Sequence, residues 1–523
     1  MCTAPARLPA RGGSGRMRWV AGMTTRGGGR ARWRRAAVPA ALAAALVAVL
    51  SVPCPEPPVP PAGGRTPFAW RQDERWQAIE AAFRDARATG CRSLAPRIGA
   101  EFAAGDRLLA AAAGRPLEPD APVLGEIERT AFDLGPMVAA CPDRIPEYVG
   151  FATALRSVVK DQSRRWDMNS PATRDRLYRL LYGSRAAVEE AMLQAPAGAV
   201  PALTRCGDEP SATPAAEVLG VRIHSGDILL SRGGAPTSAL IARGNDYPGN
   251  FSHVALVYVD ARSGQASVVE AHIERGVAVS SLSDYLRDVK LRVMVLRARA
   301  DLPGLAADPM LPHEAAAAAW RAAGRRHIPY DFAMDFHDHS RLFCSEVASA
   351  AYANAGVTLW MGLSHISSPG LAAWLAGFGV RRFETQEPSD LEYDPQLRVV
   401  AEWRDPQTLF LDHVDNAVVD AMLEGAEAGE SLRYPIAWLP VARLGKAYSW
   451  FLNRMGAVGP VPEGLSAAGA LRNREFTRTH AAIRARVLLL AAEFARRNGY
   501  RAPYWELVVL ARAARAQAGE GRG

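Results

Sequence analysis

Between residues 227 and 299 the sequence changes its period, and this change limits the folds open to the chain. Five short runs rich in β-branched residues follow one another: DILLS (227–231), HVALVYV (253–259), ASVVEAH (266–272), 277–282 and RVMVLRAR (292–299), separated by Gly, Asp and Ser turns. Runs of that length between such turns predict strands of an antiparallel sheet. On both sides apolar residues recur every three or four positions instead, as at Trp76, Ile79 and Phe83 or Leu155, Val158 and Val159, which is the helical period. An Ala-rich helix over 312–326 and another over 344–355, ended by Gly356, follow the strands. The expectation is an α+β domain over about 215–380, flanked by mainly helical regions at 65–200 and 381–523. A chain of 523 residues exceeds one typical core, so several domains are expected. In the flanks nothing converges on chemistry, and their charges read as a solvated helical face.

The charge is unevenly distributed. Residues 1–35 hold nine arginines and no acidic residue, while the whole chain carries a formal net charge of +8. Everything after residue 35 therefore sums to about −1. A neutral body offers no basic groove for a phosphate backbone, so nucleic acid is not an expected partner. The arginines precede an uncharged run of 18 residues, 36–53, and then a proline-rich spacer ending at Gly64. That layout belongs to a secretory signal or an anchor. The segment 1–64 is thus expected to act as leader and spacer and to make a membrane contact, placing the protein outside the cytoplasm or on the inner membrane. Cys54 follows the run, but Ser51-Val52-Pro53 is a poor lipidation context, and Met17 and Met23 are alternative starts. Cys91 and Cys141 share one helical region and are able to pair if that region is exported. Since C-x-x-C is absent, a zinc ribbon is not expected.

Three residue types needed for nucleophilic catalysis fall on these elements. Cys344 opens the second helix, His253 opens a strand, and Glu270 lies on the next strand. A thiol, an imidazole and a carboxylate are the parts of a cysteine nucleophile site, here in the order His, Glu, Cys. If residues 260–263 make a four-residue hairpin loop, His253 and Glu270 face each other directly, with Cβ atoms about 4.5–5.5 Å apart. The carboxylate would then hold one ring nitrogen and leave the other for the thiol. The helix N-terminus and an imidazolium would both lower the thiol's pKa, and the first backbone N–H groups would face a developing oxyanion. Taken singly, a cysteine is usually a small buried hydrophobe. A carboxylate inside an apolar strand is harder to dismiss, because leaving it unpaired is costly.

The blocks GDILLS, SHVALVYV, VVEAH, PYDF and LFCSEVASAAY, in that order over about 221–357, resemble the permuted papain-fold cysteine hydrolases of the YiiX/YebB type, within the NlpC-like superfamily. The resemblance implies a circularly permuted papain-like fold, with Cys344 as nucleophile, His253 as base and Glu270 as polar third member. It implies no cofactor. It implies amide or ester hydrolysis through an acyl-thioester, on a cell-envelope peptide or a lipid-acyl substrate. Tyr330, fourteen residues before Cys344, resembles a tyrosine that lies near the reaction centre in unpermuted relatives. It is expected either to orient substrate and complete the oxyanion site, or to pack in the core. Asp227 reads as a turn and strand-start residue. The cluster Asp335, His337, Asp338 and His339 departs from the pattern and reads as a polar rim, with a metal site as the other reading. The competing function is a non-catalytic or metal-binding envelope protein that uses the same fold to hold a ligand or partner.

Overall fold

The computed structural model describes residues 41–53, 65–70, 73–360 and 362–520. The arginine-rich start, Cys54 and most of the proline-rich spacer lie outside the described residues. The chain divides into Met1–Val52 and Pro53–Gly523. In the first unit, residues 41–51 are helical. No helix of the described residues is long and apolar enough to cross a membrane.

The second unit is built on a seven-stranded antiparallel sheet. Its strands are β1 (Leu203–Arg205), β4 (Ile228–Gly233), β5 (His253–Val259), β6 (Ala266–His272), β7 (Gly276–Ser281), β8 (Lys290–Ala298) and β11 (Leu397–Trp403), in the order β1-β11-β8-β4-β5-β6-β7. The pairs β2 (Ala215–Val218) with β3 (Val221–His224), and β9 (Ser364–His365) with β10 (Glu384–Thr385), are separate two-stranded ribbons. The sheet does not close at residue 380, because β11 pairs with β8 along its length. A region expected to be helical therefore supplies an inner strand.

Both faces of the sheet are buried, as alternation along the strands requires. Val254, Leu256 and Val269 point to the side where the helices Leu311–Arg325 and Cys344–Asn354 pack, with Ala348, Ala351 and Tyr352 in the same core. Small side chains on the Cys344–Asn354 helix allow this close approach to β5 and β6. Ala255, Val257 and Val268 point to the other side, against Leu282 and Tyr285. Asp227, at the start of β4, accepts two hydrogen bonds from Arg297, at 2.8 and 2.9 Å, and one from the backbone N–H of His224. It tethers one strand end, as expected of a strand-start residue.

The hairpin between β5 and β6 differs from expectation. Val259 pairs with Ala266, so the loop spans residues 260–265 rather than 260–263. Asp260 explains the extra length: its carboxylate accepts from the N–H groups of Arg262 and Ser263 and from the Ser263 hydroxyl. Gly264, at φ 68°, closes the turn in the left-handed region. Glu270 consequently lies opposite Ala255, not His253. The slip is two residues, so Glu270 stays on the face of His253 and becomes its diagonal neighbour.

The helical flanks are not free-standing, and several of their charges are buried rather than on a solvated face. Arg185 and Glu189, on the helix Ser184–Gln194, are buried. Arg185 pairs with Glu392, and Glu189 pairs with Arg292 of β8 at 2.7 Å. Arg292 also pairs with Asp412, on the helix Pro406–Glu427, at 2.7 Å, and Arg232 of β4 reaches the same carboxylate at 3.1 Å. Buried charges of both signs thus join the N-terminal helices, the sheet and the C-terminal helices. Each partner lies a hundred or more residues away, beyond what periodicity reveals. Cys91 and Cys141 form a disulfide with Cα atoms 5.3 Å apart.

Candidate active site

Cys344 is the first residue of its helix and is buried. The preceding Phe343 is extended, and its N–H donates to the Glu346 carboxyl one turn on, at 3.0 Å. This bond satisfies a backbone N–H at the helix start. The thiol points at β5 and donates to the carbonyl of Ser252, the residue before His253, at 3.8 Å. Burial, followed by the nearby Glu387, pushes the thiol up to about 12, against the help of Ser345 and the backbone N–H of Val254. The expectation of a lowered thiol pKa is therefore corrected. A helix N-terminus does not compensate for desolvation when no imidazolium touches the sulfur.

His253 and Glu270 meet as expected, by diagonal rather than direct pairing. His253 Nε2 lies 2.8 Å from Glu270 Oε2. His272 Nε2, two residues beyond on the same strand face, lies 3.2 Å from the other oxygen, Oε1. Burial alone would raise the Glu270 carboxyl, but the hydrogen bonds and charges of His253 and His272 outweigh it and hold the group well below the usual carboxylate range. Burial lowers His253 below the ordinary imidazole value despite Glu270, and His272 and Lys290 push the same way. At neutral pH the pair is thus a carboxylate and a neutral imidazole. With Nε2–H donated to Glu270, Nδ1 is the ring nitrogen with a free lone pair. Tyr285 stacks on the imidazole, centroids 6.4 Å apart, and Lys290 Nζ sits 4.5 Å from the Tyr285 ring centroid.

The structure brings thiol and imidazole to the start of β5, on either side of it, but not into contact. Among the described residues no hydrogen bond joins them. Val254 faces the Cys344 helix and Ala255 faces Tyr285, so the ring of His253 leaves the strand on the side away from the helix. His253 is the first residue of β5 and pairs with Ser231 of β4.

Tyr330 forms a bridge with Leu342 and packs on Phe332, centroids 5.9 Å apart. Burial and then Cys344 raise its pKa well above the usual value, so a neutral phenol stands near the sulfur. Glu387 is buried, and burial followed by Asp390 pushes its carboxyl well above the usual range. Asp335, in the His-Asp loop, is bound by Arg382 at 3.1 Å. Among the described residues no group of three or more His, Cys, Asp or Glu side chains converges to hold a metal ion.

Sequence reasoning missed His272, Tyr285, Lys290 and Glu387. His272 was legible: Glu270 and His272 are two apart on a strand and must share a face. Glu387 carried no signal, because it reaches the thiol only through tertiary packing. Cavities of about 670 and 350 Å³ occur elsewhere in the molecule, and neither is lined by Cys344, His253 or Glu270.

Residues 222–401 match the family model of Peptidase C92, the permuted papain-like amidase enzymes of the YaeF/YiiX type. No curated protein matches the chain. The matched segment begins within β3 and ends within β11, so it takes in His253, Glu270 and Cys344 and leaves both helical flanks outside. The central domain, over residues 222–401, is a permuted papain-like amidase domain of the YaeF/YiiX C92 family.

Proposed function

We propose that Cys344 is the nucleophile, His253 the base and Glu270 the residue that orients the imidazole, in hydrolysis of an amide or ester through an acyl-thioester. One observation carries this assignment. Glu270 holds Nε2 of His253 at 2.8 Å, and the Cys344 thiol rests on the carbonyl just before His253. Nδ1, the ring nitrogen nearer the backbone, is therefore the one with a lone pair for the thiol proton once the ring turns toward the sulfur. In the resting state both groups are neutral. As His253 turns about the strand end, Nδ1 takes the thiol proton and the thiolate attacks the substrate carbonyl. The Ser345 N–H, beside the sulfur, is placed to meet the developing oxyanion. The imidazolium then gives its proton to the leaving amine or alcohol. Water, deprotonated by the same nitrogen, cleaves the thioester. Tyr330 stands where a neutral phenol donates to substrate or oxyanion.

The substrate class follows from the compartment. The leader's arginines and uncharged run favour export or anchoring at the inner membrane, and the Cys91–Cys141 disulfide favours an oxidising compartment. A cell-envelope peptide or a lipid-acyl group is the substrate available there. Labelling with an acyloxymethyl ketone probe, which alkylates the thiol and expels a carboxylate, tests the assignment. Label should appear on Cys344 in the native chain and vanish in Cys344→Ala and His253→Ala. Equal labelling of His253→Ala would remove His253 from the mechanism. A panel of peptidoglycan peptides and lipid esters then identifies the bond.

A further inference from the structure

The helix Leu439–Arg454 and its flanks expose an apolar face that the protein leaves uncovered. Trp438, Val441, Leu444, Tyr448, Phe451 and Met455 are 49–61 % exposed. Their spacing of three and four residues puts them along one side of the helix. The opposite side is anchored: Ser449 Oγ accepts from the Val461 N–H at 2.8 Å, and Lys446 Nζ donates to the carbonyls of Pro462 and Glu463 at 2.9 and 2.7 Å. Trp450, exposed on the polar side of the helix, carries the Arg454 guanidinium 4.0 Å from its ring centroid. Contiguous apolar faces of this kind on a protein mark a docking surface.

Charge selects the occupant. From residue 431 to 462 the sequence holds Arg433, Arg443, Lys446 and Arg454 and no acidic residue. A second copy of this chain would bring the same positive segment against itself across a two-fold interface. The leader, with nine arginines and no acid in residues 1–35, is repelled in the same way. A helix with Trp438, Leu444, Tyr448 and Phe451 on one face and Arg443 and Arg454 on its polar side suits the headgroup plane of an anionic bilayer. We infer that the Leu439–Arg454 helix is an in-plane docking surface for an anionic phospholipid bilayer, and that it turns the Cys344 site toward lipid-borne acyl substrates.

The link to the site is the strap of residues 459–465, which the helix holds by the three hydrogen bonds above. The Gly464 N–H donates to the carbonyl of Ile273, directly after His272, at 3.0 Å, and Glu463 Oε1 lies 2.7 Å from His327 Nε2. Gly464 packs so tightly that a Cβ there would lie 2.8 Å from the Phe332 ring and 3.1 Å from the Tyr330 ring. One short strap therefore touches the docking helix, the tyrosine beside the thiol, and the strand end that carries His272. The docking surface stands independently of the chemistry, while the substrate class rests on the hydrolase assignment above.

Hydrogen–deuterium exchange on the full chain tests the docking. Because it resolves segments, anchoring by the leader does not obscure it. With vesicles of phosphatidylcholine and phosphatidylglycerol, amides over 436–456 should slow severalfold; with phosphatidylcholine alone the effect should be weak. Trp450→Ser/Phe451→Ser should abolish the slowing and leave exchange in β5 and β6 unchanged, which verifies the fold. Three results would overturn docking: no slowing on anionic vesicles, slowing without vesicles that grows with protein concentration, or slowing without vesicles that disappears when residues 36–53 are replaced by a polar sequence. For the substrate class, the same double variant should lose hydrolysis of an acyl ester held in vesicles and keep hydrolysis of a soluble ester of that acyl group. Equal loss on both overturns the lipid-borne substrate. If the native chain and Cys344→Ala are equally inert on both esters, the hydrolase assignment fails and the exchange result still decides docking.

Discussion

Two histidine–glutamate pairs in this molecule look alike in a contact diagram and behave in opposite ways. His253 meets Glu270 at 2.8 Å beside the strand end that receives Cys344. His413, on the helix Pro406–Glu427, lies 3.4 Å from Glu189 and 3.4 Å from Glu190, where the helical flanks meet the sheet. Burial lowers both imidazoles. At His413 two carboxylates outweigh burial and bring its pKa up to about 9. At His253 a single carboxylate is shared with His272, Lys290 stands near, and burial wins. His413 is therefore a charged strut in a salt-bridge network, whereas His253 is a neutral imidazole with a free lone pair. A buried His–Glu contact is thus no signature of catalysis. The number of carboxylates per imidazole, and the cations around them, decide its role.

The largest expected effects separate the two pairs by what they damage. His253→Ala should lower kcat/KM by about 10³- to 10⁴-fold, the range for a general base, with little change in Tm. His413→Ala removes a cation facing buried carboxylates and should cost on the order of 3–5 kcal/mol of stability, with kcat per folded molecule unchanged. Urea unfolding and active-site titration measure both. If His413→Ala proved chiefly catalytic, or His253→Ala chiefly destabilising, the contrast would collapse.

pH should separate them next. The folded-state pKa of His413 is raised to about 9 from 6.5. Its contribution to stability is fully present below about 6.5 and is lost as pH rises through about 9, on the order of a few kcal/mol. His253 has the opposite sign. Its folded-state pKa is lowered, so the native state binds fewer protons than the unfolded chain, and stability from this site is lost as pH falls below about 6.5. Unfolding midpoints in urea at several pH values should fall on the alkaline side in the native chain, and His413→Gln should remove most of that fall.

Glu270→Gln comes third. The amide still accepts a hydrogen bond but carries no charge to favour the imidazolium that forms in the transition state. We expect kcat/KM to drop about 10²-fold. The acid limb of the pH–rate profile should move further down, because Glu270 is what raises His253. A drop with an unmoved limb would mean that Glu270 only packs.

Much of this site was legible in the sequence, and the failures have physical causes. The strands carrying His253 and Glu270 showed their β-branched runs, and the observed β5 and β6 span the expected residues. Their register was misplaced by two, because the Asp260 side chain builds a longer turn than a minimal hairpin. Since two is the strand period, the error kept the right face and hence the right pair. β11 was lost because LRVVAEW stands alone between helical stretches and finds its partner β8 about a hundred residues earlier. The buried arginines of the N-terminal helices, Arg174 and Arg185, were read as surface for a similar reason: their carboxylates come from residues 390 and 392. The thiol's pKa was misjudged because its nearest influences, burial and Glu387, are tertiary.

The smallest expected effect tests the finest part of the contrast, the cationic company of each imidazole. His272 lies 3.2 Å from Glu270 Oε1 and, with Lys290, lowers His253. His272→Gln should release the whole carboxylate to His253 and raise its pKa. The acid limb of kcat/KM would then shift toward neutral pH while the plateau changes only about two- to fivefold, an effect of less than about 1 kcal/mol. At the other pair the corresponding change is Glu190→Gln, which removes one of two carboxylates and should lower His413, flattening the alkaline loss of stability. If His272→Gln instead abolished activity with the limb unmoved, His272 would be touching substrate itself. The base would then be a two-histidine clamp on Glu270, with either ring able to reach the thiol.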